Sequence, residues 1–183
     1  MAANVNPDSF TSVQDYIDAL VAPARAQNKD RFFTYVTSLA ADNAYFTSGA
    51  SAGLGARLSI DTAARRLFIS EAFEDAPALA AGIDRGTEIL AIGTGAADLR
   101  TVDSIIAAEG SAAISAALGP NTAGTARLLR VRDTNGTIRD VTVAKAEITV
   151  APVSSRYGAR ILDDNGKKVG YLNLRTFIDT ADP

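Results

Sequence analysis

The chain contains neither histidine nor cysteine, and these two absences narrow the chemistry that it could perform. Without histidine there is no Ser-His-Asp triad, no histidine general base and no histidine metal ligand. Without cysteine there are no thiol nucleophiles, thiolate zinc sites or disulfides. The enzymatic options that remain are Ser-Lys dyads, carboxylate pairs and metal ions bound by oxygen ligands.

Three polar clusters could serve these options, but each has a simpler interpretation. Glu71, Glu74 and Asp75 lack the apolar surroundings that would separate their pKa values as an acid–base pair requires, so we expect a solvated loop. Residues 163–166 resemble part of a calcium loop without its distal glutamate and alternating ligands, which favours a hairpin turn. The lysines at 167–168 are expected to be solvated, whereas a lysine base must be desolvated. We therefore predict no catalytic residue, no metal site and no cofactor.

The composition is that of an ordinary globular chain. It has 183 residues, of which 47% are hydrophobic and 21% charged, enough for one domain and a smaller unit. The net charge of −3 and the lack of a basic stripe argue against binding to nucleic acid. No apolar run approaches the roughly 20 residues of a membrane span. The first eight residues have no charged head or apolar stretch, so we expect no intact signal peptide.

Residues 1–46 are predicted to form a helical N-terminal segment. Asp8 or Ser9 could cap a first helix, and Pro23 is expected to end or kink it. A second helix is expected from about residue 28. Its apolar stripe should pack as core or interface and comprises Phe32, Phe33, Tyr35, Val36 and Leu39.

From residue 47 the pattern changes to short strands, glycine turns and two helices. A loop of small residues is predicted at 46–55. The dipeptide Asn135-Gly136 is a strong signal for a hairpin. The predicted strands are 56–60, 67–70, 88–92, 125–132 and 137–144, and the predicted helices are 102–108 and 111–118.

The most informative segment is 75–92. Pro77 suits a first helical position, Gly82 suits a helix end, and Gly86 supplies a second turn before the strand 88–92. This Pro-Ala…Ala-Gly…Gly…Ile-Leu…Ile sequence resembles the signature of bacterial PDZ domains, which bind peptides, usually by their free C-termini. The resemblance implies an α+β fold over residues 47–150, a PDZ-like partly open β-barrel or sandwich with two helices. A short helical N-terminal segment would precede it and a β-hairpin would follow it.

The same resemblance implies a peptide-binding site. Alone, Gly53-Leu54-Gly55-Ala56 predicts a plain turn. Upstream of 75–92, it matches a loop whose N–H groups receive a peptide carboxylate in an anion nest. The next strand would pair with the peptide by β-augmentation, opposite the helix 111–118. A nearby arginine at 57, 65 or 66 could assist the carboxylate, or these charges could simply be solvated. The predicted peptide-binding residues are Gly53, Leu54, Gly55, Ala56, Arg57, Leu58, Ile60, Ile114 and Leu118.

Residues 151–183 are predicted to be a linker followed by the first strands of a truncated peptidase core. Strands 157–162 and 169–174 would form a hairpin around 163–166. The sequence Lys-Val-Gly-Tyr-Leu-Asn-Leu-Arg-Thr-Phe at 168–177 resembles the opening core strand of the carboxyl-terminal processing peptidases, also called tail-specific serine proteases. This resemblance implies an exported protein of the periplasm or cell envelope, whose PDZ domain captures substrate tails and gates a serine–lysine active site. Those catalytic residues lie downstream of the matched strand, so we expect this chain to be an inactive N-terminal fragment.

Other interpretations stay open at this stage. A non-enzymatic PDZ adaptor or secretion-system module would have the same signature, whereas a self-contained enzyme is disfavoured. Two residues depart from the PDZ pattern: Ala56 is small, and Glu88 follows Thr87 where such domains usually have aspartate after the glycine. The expected partners are polypeptide C-termini and, through residues 169–174, a second copy, unless the hairpin docks on the PDZ unit and the N-terminal helices. Residues 176–183 are expected to be the most mobile.

Overall fold

The computed structural model describes residues 5–27, 29–30 and 33–179. The chain divides into two compact units, Met1–Asn43 and Ala44–Pro183, which are described separately below. The three-part division at residues 46 and 150 stays a prediction. None of the helices in the described ranges is long and apolar enough to cross a membrane.

The N-terminal helix starts later than the sequence indicates. A 3-10 turn spans Pro7–Ser9, and the helix α1 spans Val13–Ala26. Ser12 caps α1, because its Oγ accepts a hydrogen bond from the N–H of Asp15 at 3.1 Å. The predicted helix end at Pro23 is wrong, since α1 continues to Ala26, whereas the alternative of a kink at Pro23 stays a prediction. Pro23 lies in the last turn, where the loss of its N–H removes only one intrahelical bond.

The predicted second helix is displaced along the chain. The helix α2 spans Leu39–Ser48, and residues 33–38 are not helical. Side chains of α1 bind the backbone of this stretch: the amide of Gln14 accepts from the N–H of Val36 at 2.8 Å, and Arg25 donates to the carbonyl of Thr34 at 3.0 Å. The predicted apolar stripe is not packed, because Phe33, Tyr35, Val36 and Leu39 are exposed. Residues 28 and 32 lie outside the described residues.

The C-terminal unit is built on an open antiparallel sheet with the strand order β2-β3-β4-β6-β7, and β5 pairs with β4. These strands confirm the predicted ones and add β5. They are β2 (Ala56–Asp61), β3 (Arg66–Ala72), β4 (Glu88–Gly93), β5 (Arg100–Thr101), β6 (Ala126–Arg132) and β7 (Ile138–Ala144).

Three helices complete this core: α3 (Pro77–Ala80), α4 (Val102–Glu109) and α5 (Ala113–Leu118). The sequence predicts α3 as a helical turn and the other two as the helices of the fold. Apolar side chains from the sheet and the helices form one buried cluster that includes Leu67, Ile69, Ile83, Ile89, Ile105, Ile114 and Leu129. The α+β class is therefore confirmed, with an open sheet and no closed barrel among the described strands.

The glycine-turn segment before β4 adopts the predicted conformations. Gly82 and Gly86 have φ values of +71° and +89°, where a side chain would be strained. Glu88 is buried and takes bonds from Arg66 at 2.6 Å and from Arg132 at 2.7 Å. A glutamate here thus ties β3, β4 and β6 together, and the hydrogen bond from Arg66 lowers its pKa below the usual value.

One strand pair was missed. The strand β1 (Ala50–Gly53) pairs antiparallel with β8 (Ala146–Thr149), where the sequence predicts a loop at 46–55. Alanine and glycine are poor strand formers, so the local sequence hides β1. The pairing fixes the chain directly before the glycine loop.

The predicted hairpin is present and projects into solvent. The strands β9 (Ala159–Asp164) and β10 (Lys167–Leu172) are exposed at every position. They are joined by Asn165 and Gly166, both at positive φ as a two-residue turn of this type requires. The hairpin therefore does not dock on the rest of its unit.

The segments that flank the hairpin are packed. Val153 pairs with Leu174 in an isolated bridge, and Ser154 in the predicted linker is buried. Thr176 accepts a hydrogen bond from the hydroxyl of Tyr45 at 3.1 Å, and Ile178 is buried. Phe177 between them is exposed, so the predicted mobility of residues 176–179 stays a prediction, and residues 180–183 lie outside the described residues.

Candidate functional site

The glycine loop is a two-residue connection between β1 and β2. The carbonyl of Leu54 accepts from the N–H of Ala78 at 2.9 Å, and the carbonyl of Gly55 accepts from the N–H of Phe73 at 2.8 Å. Gly55 has a φ of +71°, and a Cβ there would lie 2.1 Å from the Cβ of Ala76. Only glycine fits this position.

The backbone groups of Leu54 and Gly55 lie in a buried part of the loop. The N–H groups of Leu54 and Gly55 have no backbone acceptor among the described residues, although both carbonyls are occupied. Successive free amides next to a glycine at positive φ form a concavity that suits an anion. Gly53, at the end of β1, leaves open space beside it, because a Cβ there would meet only the N of Gly55 at 3.9 Å.

The strand β2 is the terminal strand of its sheet. It pairs with β3 on one side, and no strand of the described part pairs with its other edge. Along β2, Ala56, Leu58 and Ile60 are half-buried against the core, whereas Arg57, Ser59 and Asp61 are exposed. A free edge with one apolar face can accept an additional strand.

The helix α5 presents different residues from those predicted. Ile114 and Leu118 are 1% and 6% exposed and belong to the core, so they hold the helix rather than line a cleft. Ala113 and Ala117 are half-buried and pack against the same cluster as Leu58 and Ile60. These two alanines are one helical turn apart, a spacing that could have revealed this face.

The three nearby arginines are engaged in ion pairs. Arg57 lies 3.6 Å from a carboxylate oxygen of Glu71 and donates to the carbonyl of Arg175 at 2.8 Å. Arg65 bonds to Asp103 at 2.6 Å, and Arg66 bonds to Glu88. Arg57 thus connects β2 to the C-terminal segment.

A buried ionic cluster lies behind the glycine loop. The side chain of Arg175 is 1% exposed, and its guanidinium bonds to Glu71 at 2.6 Å and to Glu74 at 2.5 Å. It also lies over the ring of Phe73, 5.3 Å from the centroid. We call Arg175, Glu71, Glu74 and Phe73 the Arg175 cluster. The expectation of a solvated loop at Glu71 and Glu74 is wrong, because their partner lies 104 residues beyond Glu71.

Hydrogen bonds fix the charge state of this cluster. Burial alone would raise the pKa of Glu74, but bonds from Arg175, Ser154 and the backbone outweigh it and lower that pKa from 4.5 to about 2. Ser154 Oγ donates to Glu74 at 2.7 Å. Arg156 donates its N–H to the same carboxylate and pairs with Asp84 at 2.6 Å. The loop before α3 is thereby joined to the segments on both sides of the hairpin.

Within the described residues, no group of three or more acidic side chains could hold a metal ion. The described residues thus bring together two loop amides without a backbone acceptor, the unpaired edge of β2 and two half-buried alanines on α5. Such a surface can bind an extended chain that ends in a carboxylate.

Solved structures similar to this chain come from proteases. One is the PDZ domain of a carboxy-terminal protease from Vibrio cholerae, solved in complex with peptide, which is 20% identical and has a TM-score of 0.39. The match covers 54% of this chain and 97% of that domain. The photosystem II D1 C-terminal processing protease is 17% identical over 94% of this chain, with a TM-score of 0.47. A putative S41 protease from Bacteroides fragilis is 20% identical over 95% of this chain, with a TM-score of 0.38.

The chain spans 46% and 40% of the lengths of these last two proteins. No protein-family model and no curated protein matches the sequence.

Proposed function

We propose that this chain is the PDZ region of a C-terminal processing peptidase and that it captures the C-terminal tails of polypeptides. One observation carries the proposal: the loop amides of Leu54 and Gly55 have no backbone acceptor among the described residues, and the loop leads directly into the unpaired edge of β2. The peptide carboxylate would bind these amides, and the peptide backbone would extend the sheet.

The surroundings of this edge suggest the preferred ligand. Leu58 and Ile60 on β2 and Ala113 and Ala117 on α5 are all apolar and half-buried. A tail with an apolar C-terminal residue therefore suits the site. One side-chain pocket and a few main-chain bonds must offset the entropy of association, so we expect a Kd of roughly micromolar to millimolar.

NMR titration tests the proposal with an apolar hexapeptide that has a free C-terminus and with its amidated twin. We expect shifts within residues 56–60 and 111–118, and a loss of affinity on amidation. Equal affinity of both peptides would rule out the carboxylate nest. Shifts confined to other strands would show that the binding site lies elsewhere.

The wider role also belongs to the proposal. By resemblance, the PDZ region would serve an exported peptidase of the periplasm or cell envelope, capturing substrate and gating a serine–lysine site. Arg57 supports a link between binding and the rest of such a protein, because it joins β2 to Arg175. A non-enzymatic adaptor or secretion-system module is the alternative, and a parent gene without a downstream serine and lysine in an α/β core would favour it.

The isolated chain should hydrolyse no peptide. Incubation with unfolded casein tests this expectation. Cleavage that survives repurification, and that is unchanged in an Arg57→Ala control, would contradict the view that the catalytic residues lie elsewhere.

We also propose that the hairpin pairs with a second copy of the chain, as expected for residues 169–174. Exposed apolar side chains occupy both strands: Ile161, Leu162, Val169, Tyr171 and Leu172. Asp164 and Lys167 flank the two-residue turn and form a hydrogen-bonded pair, so the N–H and C=O groups of residues 159, 161 and 163 face the free edge of β9.

The charges favour β9 over β10 as the contact strand. If two copies of β9 pair antiparallel about Leu162, Arg160 of each copy lies opposite Asp164 of the other, and Leu162 meets its equivalent. If two copies of β10 paired antiparallel instead, their lysines would lie opposite apolar or amide side chains rather than opposite carboxylates. Sedimentation should detect dimers that Asp164→Arg abolishes and that Arg160→Asp restores in the double variant. A monomeric wild type, or no rescue, would refute this pairing.

A further inference from the structure

Lys145, between β7 and β8, is an almost fully buried lysine with no carboxylate partner among its hydrogen bonds. The residue is 4% exposed. Its ammonium donates to the carbonyl of Gly119 at 2.7 Å, to the carbonyl of Pro120 at 3.0 Å and to the amide oxygen of Asn121 at 2.9 Å. A protonated lysine has three N–H donors, and all three are used here.

All three acceptors lie at the C-terminal end of α5. Arg127 of β6 binds the same end, because its Nε donates to the carbonyl of Ala117 at 2.7 Å. Its guanidinium covers Gly119, where an added Cβ would lie 2.0 Å from a guanidinium nitrogen. The last carbonyls of a helix carry partial negative charge, so two cations at this end are stabilising.

The helix α5 depends on such anchors because it is only six residues long. A helix of this length has little stability of its own and keeps its position through tertiary contacts. Ile114 and Leu118 hold its buried side in the core. The half-buried side facing away from these two residues carries only the small side chains of Ala113 and Ala117, so Arg127 and Lys145 add polar anchors at the far end of the helix.

We propose that Lys145 is a positioning residue for the peptide site: its charged ammonium holds the end of α5 and thereby sets the width of the cleft between Ala117 and β2. This inference rests on the proposed function. Lys145 touches no peptide itself; it acts through the carbonyls of Gly119 and Pro120.

The charge state of Lys145 gives this role a distinctive signature. Burial, with a smaller effect of the Arg127 charge, lowers its pKa below the usual 10.5. Arg127 is the one charged side chain that acts on it within the described residues, and the end of α5 contributes only neutral groups. A neutral amine has two N–H donors, so one of the three bonds to α5 is lost when the proton leaves.

Affinity and stability should then change in opposite directions. Between the lowered pKa and 10.5 the unfolded chain binds more protons at this residue than the folded chain. The contribution of Lys145 to folding stability therefore rises with pH in that window. Peptide affinity should fall in the same window, so unfolding caused by the titration of Lys145 does not account for the loss, and urea unfolding checks the total stability.

The experiment measures the Kd of the free apolar hexapeptide and of its amidated twin from pH 7 to pH 10, together with urea unfolding. In the wild type we expect affinity to fall with rising pH. In Lys145→Met we expect about tenfold weaker binding at pH 7, from the loss of charge-assisted bonds, and no alkaline dependence. Lys29→Met, which removes an exposed lysine of the N-terminal unit, should match the wild type throughout.

Lys145→Arg keeps the charge over this whole pH range, so it should bind peptide without the alkaline loss. If Lys145→Met fails to fold, the Lys145→Arg variant and the pH profile of the wild type still test the role of Lys145. A wild type that binds neither peptide would refute the proposed function itself. A wild type that binds with a flat pH profile, or a folded Lys145→Met of equal affinity, would overturn the role of Lys145 alone.

Discussion

Replacement of Arg175 by methionine tests the buried ionic cluster most directly. Methionine keeps much of the volume of the side chain but removes a guanidinium that is 1% exposed and bonded to two carboxylates. Glu71 and Glu74 are each 15% exposed in these pairs, so neither can recover much water. The variant therefore leaves two negative charges facing each other across a poorly hydrated site.

The magnitude follows from two independent routes. Breaking a buried ion pair by removing one partner costs about 3–5 kcal/mol. A pKa of about 2 for Glu74, against the usual 4.5, corresponds to about 3 kcal/mol of stability at neutral pH, which is an upper bound for Arg175 because Ser154 and backbone N–H groups also lower this pKa. We therefore expect a loss of about 3 kcal/mol, with the Glu74 carboxylate of the variant taking up a proton at higher pH than in the wild type.

Urea unfolding followed by circular dichroism at pH 7 measures this loss. Arg130→Met is the matched control, because Arg130 makes a similar bond to Asp140 at 2.8 Å but both side chains are exposed. Exposed pairs contribute little, so the control should change stability far less. If the two variants lose equal stability, the Arg175 cluster does not stabilise the fold as reasoned here.

Three further outcomes are expected. Stability should fall as the pH is lowered from about 5 towards 2, because a carboxylate with a depressed pKa stabilises the fold while it is ionised and loses this effect when it is protonated. Glu74→Gln should flatten this part of the plot of unfolding free energy against pH. An unchanged slope would contradict the assignment to Glu74. Gly55→Ala should destabilise the chain more than Gly136→Ala, since both have positive φ but only the former meets a neighbouring Cβ; equal melting temperatures would disprove this. Glu88→Gln should cost less stability in urea than Arg175→Met, because its arginine partners are exposed and regain water; a larger loss would be inconsistent.

The parts of the fold that local sequence specifies were predictable. Glycines at Gly82 and Gly86 mark turns because other residues are strained at positive φ. The strands β2, β3 and β4, the helices α4 and α5 and the final hairpin follow from apolar spacing and turn chemistry. The pairing of β1 with β8 was not predictable, because alanine-rich strands carry no local signal and the two strands are distant in the chain.

The candidate site shows the same division. The glycine loop and the following strand were identified, since Gly55 is required by its own backbone conformation. The roles of Arg57 and of the two glutamates depend on Arg175, whose proximity only the fold creates. On α5, the predicted Ile114 is buried in the core and its neighbour Ala113 is half-buried, which only the orientation of the helix decides.

The bridge between Val153 and Leu174 has a consequence for how this protein can be altered. The N–H of Arg175 also donates to the carbonyl of Pro152 at 2.7 Å. The segments before and after the hairpin are thus joined to each other directly, without the help of the hairpin. The entropy of closing a flexible loop grows only slowly with its length. The fold below the hairpin therefore does not depend on the hairpin itself. A short glycine-rich turn, an epitope or a whole foreign domain could replace it while the sheet stays intact.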